Sequence, residues 1–180
     1  MNVSSSPDGK LLASASGDHT VRIWDMLTET PIKELKAHRD WVLYVQWSPD
    51  GRILASGSAS KDPTVRLWTR EGRSRGVLSG HKKFITALSW EPFHANPKCT
   101  RLVSASKDGT AIVWNVDNRR RIFTLGGHTS AVTCVKWGGE GFIYTGSEDK
   151  TIRVWDANKG TTLHRLQGHG HWVNTLALNT

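Results

Sequence analysis

Three short runs between residues 131 and 156 share one rhythm. AVTCVKW, FIYTGS and TIRVWD each place apolar side chains at alternate positions and favour β-branched residues. Gly138-Gly139-Glu140-Gly141 separates the first two runs, and Glu148-Asp149-Lys150 separates the last two. Period-two alternation between Gly- and Asp-rich clusters predicts antiparallel strands joined by tight turns. The rest of the chain repeats the rhythm with variations. LLASAS and TVRIWD lead to an outer strand, PIKELK. WVLYVQW, RILASGS and TVRLW lead to a basic outer segment from Arg73 to Leu78. FITALSW, RLVSAS and TAIVWNV lead to RRRIFTL. An outer strand TLHRLQ then completes the 131–156 unit, and HWVNTLAL predicts one strand more.

Fixed landmarks set the period. Ala37-His38, Gly80-His81, Gly127-His128 and Gly168-His169 place their histidines 43, 47 and 41 residues apart. A closing Trp recurs in Trp24-Asp25, Trp68-Thr69, Trp114-Asn115 and Trp155-Asp156, and Ser-Pro-Asp-Gly occurs at Ser6–Gly9 and Ser48–Gly51. This period with these flanks is the signature of a WD-repeat β-propeller. The predicted fold is therefore all-β: an incomplete propeller of about four blades of four antiparallel strands, plus one extra strand. The units run 2–36, 37–79, 80–126, 127–167 and, as the start of a fifth, 168–180. Four blades of this curvature do not close a ring alone, which predicts open sheet faces at both ends.

Composition narrows the class. At 37% hydrophobic and 22% charged residues, the 180-residue chain is globular rather than disordered. Without an apolar run of roughly 18 residues it predicts no membrane partner. The N-terminal MNVSSSPDGK lacks a signal-peptide layout, and only Cys99 and Cys134 occur, so a reducing compartment is expected. Lys and Arg number 24 against 16 for Asp and Glu, a net charge of +8, which favours an anionic partner.

Ser, His, Asp and Trp recur at matched offsets. The sets are His128, Thr145, Asp149 and Trp155; His81, Ser104, Asp108 and Trp114; and His38, Ser56, Asp62 and Trp68. The first unit has Ser14, Asp18 and Trp24 without a histidine. In WD-repeat proteins, which these residues resemble, such quartets form buried hydrogen-bonded relays, and a closed network satisfies each buried polar group. A hydrolase triad would use similar residues, but one active site does not recur in successive repeats. In the second unit Asp62 follows Ser56 by six residues rather than four, predicting a longer turn that pushes Lys61 outward. Ser104–Lys107 and Ser58–Lys61 match S-x-x-K without the accompanying motifs. His94, Cys99, His169 and His171 lack zinc-ligand spacing, and His169 is expected to enter a fifth quartet. No cofactor, metal or enzymatic activity is predicted.

The residues following each Gly-His, and those preceding each quartet Asp, are expected to emerge at one rim. Trp41, Lys61, Lys82, Lys83, Phe84, Lys107, His171 and Trp172 form the candidate partner-binding set, with aromatic anchors beside lysines suited to acidic or phosphate groups. Ser130, Ala131 and Glu148 are expected to be the least adhesive rim positions. On the outer strands Arg73, Arg75, Arg119, Arg120 and Arg121 are candidate RNA contacts, although charges there also protect sheet edges.

HRDWVLYVQWSPDGR, LSWEPFHANPKC, VTCVKWGGEGFIYTGSEDKTIRVWD and LQGHGHWVNTLALNT resemble the Notchless family of WD-repeat proteins. The insert from Glu91 to Cys99 is the most distinctive of these. The resemblance implies an eight-bladed propeller preceded by a ubiquitin-like domain, which is not present in these 180 residues. It also implies a nuclear and nucleolar role in large ribosomal subunit assembly. The propeller would act as a non-enzymatic scaffold docking on precursor particles, their assembly proteins and ribosomal RNA, and a Midasin-type AAA ATPase would grip the ubiquitin-like domain. Family members are also linked to Notch signalling. The alternative function is a WD-repeat adaptor in signalling or in ubiquitin-ligase substrate recognition.

Overall fold

The structure is a computed structural model that describes residues 2–178. Four antiparallel sheets follow one another along the chain, each with its strands in sequence order. The first blade comprises β1 (Val3–Ser5), β2 (Leu11–Ala15), β3 (Thr20–Asp25) and β4 (Pro31–Lys36). The second comprises β5 (Val42–Trp47), β6 (Ile53–Ser58), β7 (Thr64–Thr69) and β8 (Ser74–Ser79). In the third lie β9 (Ile85–Trp90), β10 (Arg101–Ser106), β11 (Thr110–Asn115) and β12 (Arg120–Gly126). In the fourth lie β13 (Val132–Trp137), β14 (Phe142–Ser147), β15 (Ile152–Asp156) and β16 (Thr162–Leu166). The all-β, unclosed propeller expected from the period is what the chain forms.

The core lies in the layers between blades. One layer joins Ala13, Val21 and Leu35 of the first blade to Val42, Val45 and Trp68 of the second. Another joins Ile53, Leu67 and Leu78 to Ile85, Leu102 and Trp114. A third joins Val103, Val113 and Leu125 to Val132, Val135 and Trp155. Both faces of an inner blade are therefore covered, and β6 is buried at every position. Full burial of one such aliphatic side chain contributes about 1.5–3 kcal/mol, so these layers fix each blade against its neighbour. The outer strands alternate less: β16 is exposed throughout.

Register shifts recur where β3, β7, β11 and β15 reach their tryptophans. They fall between Ile23 and Trp24, Leu67 and Trp68, Val113 and Trp114, and Val154 and Trp155. Such bulges increase local twist, and their repetition makes them part of the blade design.

The extra strand expected after residue 168 needs correction. Residues 172–178 are not in a ladder. Val173 N–H donates to Ser147 O at 3.1 Å, as Val42 N–H does to Ser16 O at 3.1 Å, so the segment occupies an innermost-strand position. Among the described residues no second strand lies beside it to exchange ladder hydrogen bonds. His169 is exposed and takes no part in a quartet.

Candidate partner-binding rim and its buried supports

The hydrogen-bond relays sit just beneath the rim. In the second blade His38 Nδ1 lies 2.8 Å from Asp62 Oδ2 and His38 Nε2 lies 2.8 Å from Ser56 Oγ, which accepts from Trp68 Nε1 at 2.9 Å. The third blade repeats this with His81 at 3.0 Å from Asp108 and 2.8 Å from Ser104, while Trp114 Nε1 donates to Ser104 Oγ at 2.8 Å. In the fourth, His128 lies 2.8 Å from both Asp149 and Thr145, and Trp155 Nε1 donates to Thr145 at 2.9 Å. An ionised carboxylate only accepts, so each Nδ1 carries a proton and, in the neutral imidazole, Nε2 accepts from the hydroxyl. Burial lowers the pKa of His38 and His128 despite the adjacent carboxylates. Burial opposes charge on Asp108 and Asp149 as well. Hydrogen bonds from His81 and Thr110 to the first, and from Thr151 and His128 to the second, more than offset it and hold both well below the ordinary carboxylate range.

The first blade shows what the histidine contributes. Trp24 Nε1 still donates to Ser14 Oγ at 2.9 Å, but Asp18 is exposed and serves only its own turn and a 3.8 Å contact with Arg22.

Each relay has a further member that sequence reasoning missed. Thr20, Thr64, Thr110 and Thr151 lie two residues after the quartet Asp and donate to its Oδ1 at 2.6–2.8 Å. The Asp-x-Thr recurrence was readable in every unit. The residue between takes a positive φ at His19 (71°), Gly109 (84°) and Lys150 (68°). Pro63 holds this position in the second blade and cannot adopt that geometry, because its ring fixes φ near −65°. The two extra residues of that turn supply another path, in which Asp62 N–H donates to Ala59 O at 3.0 Å and Lys61 is exposed.

The Asp that closes each relay also ties down the rim. Backbone N–H groups of Arg39, Lys82 and Thr129 donate to Asp62, Asp108 and Asp149 at 3.2, 2.9 and 3.1 Å. Above them Lys61, Lys82, Lys83 and Lys107 are exposed, and Trp41 is 55% exposed. Phe84 is half-buried, with Lys107 Nζ 5.5 Å from its ring centroid. His171 and Trp172 are exposed and lie together, ring centroids 5.2 Å apart, beyond the fourth blade. Among the described residues none of the four lysines has a carboxylate within ion-pairing distance. The fourth blade contributes more than its sequence suggests: a cavity of about 280 Å³ joins Lys83 and Lys107 to Ser130, Ala131 and Glu148.

The arginine set is less cohesive than its sequence spacing implied. Arg75 is paired with Asp117 at 2.8 Å. Arg119 turns at φ 59° and lays its side chain against Gly76 of the second blade. Arg73, Arg120 and Arg121 are exposed, but Arg120 and Arg121 are adjacent on β12 and point to opposite faces of that sheet.

The insert around Glu91–Cys99 is a strut across the opposite end. Glu91, 2% exposed, forms an ion pair with Arg101 and accepts from Asn96 at 2.7 Å. Arg101 stacks 5.3 Å from the Trp137 ring centroid and donates to Asn158 at 3.0 Å, while His94 Nε2 reaches Gly139 O at 3.1 Å. Cys99 is fully buried.

Residues 3–173 match the family model described as the WDR19 first beta-propeller. Protein Notchless of Drosophila melanogaster is 48% identical over 176 residues, covering 97% of this chain and 36% of that protein. Notchless protein homolog of Arabidopsis thaliana is 54% identical over 146 residues, covering 80% of this chain and 30% of its own length. The chain belongs to the Notchless family of WD-repeat β-propellers. A further relative, Ribosome assembly protein 4 of Saccharomyces cerevisiae, is 50% identical over 178 residues, 94% of this chain and 33% of the relative. The chain thus spans about a third of the length of these Notchless-type relatives. The propeller model accounts for the repeats that all WD proteins share. The match to the Drosophila relative spans 97% of the chain and so runs through the Glu91–Cys99 strut as well.

Proposed function

We propose that the chain is a non-enzymatic docking scaffold that holds assembly factors and RNA on precursors of the large ribosomal subunit, in the nucleus and nucleolus. The observation that carries this reading is the 50% identity, over 94% of the chain, to a relative named Ribosome assembly protein 4. The rim supports it: exposed lysines without a carboxylate partner among the described residues lie beside aromatic side chains, and the chain carries +8 overall. The relays support the scaffold half of the statement. Ser56, Ser104 and Thr145 have no exposed surface, and each hydroxyl is engaged by both an imidazole and an indole, leaving no nucleophile open to a substrate. In this reading, grip by a Midasin-type ATPase belongs to a ubiquitin-like domain outside these 180 residues.

The test is co-sedimentation of the tagged chain with nuclear extracts on sucrose gradients at about 0.1 M and about 0.5 M salt, since surface charge contacts weaken as the screening length shortens. Association with large-subunit precursors that falls with salt is expected. A chain that stays at the top of the gradient at both salt concentrations overturns the reading.

A further inference from the structure

The rim between the third and fourth blades divides its charges unequally. Every acid there is engaged within the fold. Asp108 accepts from His81, Thr110 and the Lys82 backbone; Asp149 accepts from His128, Thr151 and the Thr129 backbone. Glu148 accepts from the Ser130 hydroxyl at 3.2 Å. The bases have no carboxylate partner among the described residues: Lys82, Lys83 and Lys107 are exposed, and Lys107 Nζ lies over the Phe84 ring, 5.5 Å from its centroid. The three carboxylates keep their charge and balance the three lysines, but the Asp108 and Asp149 side chains are only 9% and 4% exposed while the lysines are exposed, so ammonium groups are what an approaching partner meets first. A surface that presents ammonium groups outward is complementary at close range to an acidic partner.

The cavity in this sector tells one acidic partner from another. Lys83 and Lys107 of the third blade and Ser130 and Glu148 of the fourth all line it, and the two backbones approach closely there, since a Cβ on Gly109 would lie 3.3 Å from Ser130 O. Donors and acceptors thus share one space of about 280 Å³. An RNA strand presents phosphates at a regular repeat and would bring one against the Glu148 carboxylate. It would also need an open aromatic face for base stacking, and the neighbouring Phe84 ring is capped by Lys107 Nζ at 5.5 Å. A polypeptide presents carboxylates for the lysines and backbone N–H groups for Glu148 and Ser130. We propose that this sector binds an acidic protein segment, with Lys83 and Lys107 holding side-chain carboxylates and Glu148 accepting from the segment's backbone. The proposal deepens the scaffold reading by naming the partner chemistry of one part of the rim, and it rests on that reading only for its biological setting.

The experiment measures fluorescence anisotropy of the 180-residue chain with two probes. One is a labelled oligoglutamate peptide of about ten residues with a central Leu-Phe pair, and the other is an oligouridine RNA of about ten nucleotides. The peptide is expected to bind more tightly than the RNA. Lys83→Glu with Lys107→Glu should weaken the peptide by about tenfold or more. Arg120→Glu with Arg121→Glu should change peptide binding less than about twofold, with circular dichroism unchanged in both variants. Peptide affinity indifferent to the lysine pair, tighter binding of RNA than of peptide, or no peptide binding overturns the proposal. Gradient co-sedimentation of the same lysine variant separates the two readings. If it still associates with precursor particles but no longer binds peptide, the scaffold reading stands and the peptide site is not its only contact. If wild-type chain binds peptide but never the particles, the scaffold reading alone falls.

Discussion

Thr145 is the position where one atom should matter most. Its hydroxyl, fully buried, accepts from Trp155 Nε1 at 2.9 Å and donates to His128 Nε2 at 2.8 Å. Thr145→Val keeps the branched shape and opens no cavity, but it leaves an indole N–H and an imidazole lone pair without partners in a site that water does not reach. A stranded buried polar group costs about 1–3 kcal/mol, so the variant should lose roughly 2–5 kcal/mol. For a domain of this size about 1 kcal/mol corresponds to 2–4 °C, and the expected fall in Tm is roughly 4–20 °C. Thr145→Ser is the control. It keeps the hydroxyl, as Ser56 and Ser104 do in the preceding blades, and removes one methyl at about 1 kcal/mol. Urea denaturation followed by tryptophan fluorescence and circular dichroism measures both variants. A double-mutant cycle with Trp155→Phe then isolates the indole bond, because Trp155→Phe should cost less by about 1 kcal/mol when Thr145 is already Val. If Thr145→Val loses no more stability than Thr145→Ser, the relay contributes shape rather than hydrogen bonding and the argument fails.

The relays also predict acid sensitivity. His38 and His128 have folded pKa values below their ordinary value, so their contribution is complete above about pH 6.5 and is lost as pH falls through the folded values. Asp108 and Asp149, likewise depressed, contribute fully above about pH 4 and lose that contribution below it. A Tm that stays constant from neutral pH to pH 5 would contradict the histidine half of this account. Gly57→Ala should destabilise by about 1–3 kcal/mol, because a Cβ there would sit 2.4 Å from Ile85 Cγ2 across the seam between second and third blades. Gly126→Ala, with nothing within 4 Å, should be near neutral, and equal effects of the two on urea midpoints would refute the packing argument. Arg101→Met should cost about 3–5 kcal/mol by leaving Glu91 charged and buried; a loss under about 1 kcal/mol would mean that Asn96 alone satisfies Glu91.

The blades were legible because each closes its sheet with the same period-two runs and marks its relay with residues that cannot be exchanged freely. Asp62, Asp108 and Asp149 each fix a turn, a histidine and a rim backbone at once, and the intervals from Asp to Thr and from Asp to Trp stay constant while those from His to Asp vary. What the sequence hid has particular causes. The bulges beside Trp24, Trp68, Trp114 and Trp155 leave no residue-type signal. Residues 172–178 read as a strand by their alternation, but strand formation also requires a partner, which the pattern does not contain. Arg119 to Arg121 read as a cluster, yet one positive-φ residue and the pleat of β12 send the three side chains in different directions. Ser130 and Glu148 looked inert because neither is aromatic or basic, and only the approach of two blades brings them into one cavity with Lys83 and Lys107.

The net charge acquires a different meaning once the two basic residue types are separated. Arginines cross the seams: Arg70 reaches Asp8 at 2.7 Å between the first and second blades, and Arg75 reaches Asp117 at 2.8 Å between the second and third. Arg101 reaches Asn158 at 3.0 Å between the third and fourth. A planar guanidinium with several fixed donors suits such clamps, since it can bond a carboxylate or a carbonyl while its face stacks on a ring, as Arg101 does on Trp137. The rim's exposed lysines sit on flexible stems and have no carboxylate partner among the described residues, although Lys107 leans over the Phe84 ring. Counting all basic residues as one anion-binding reserve therefore overstates what a partner meets. Part of the arginine charge holds blade to blade, while the lysine charge at the second and third blades remains available. Neutralising Lys83 and Lys107 should accordingly change binding and leave stability alone, and neutralising Arg70, Arg75 or Arg101 should do the reverse.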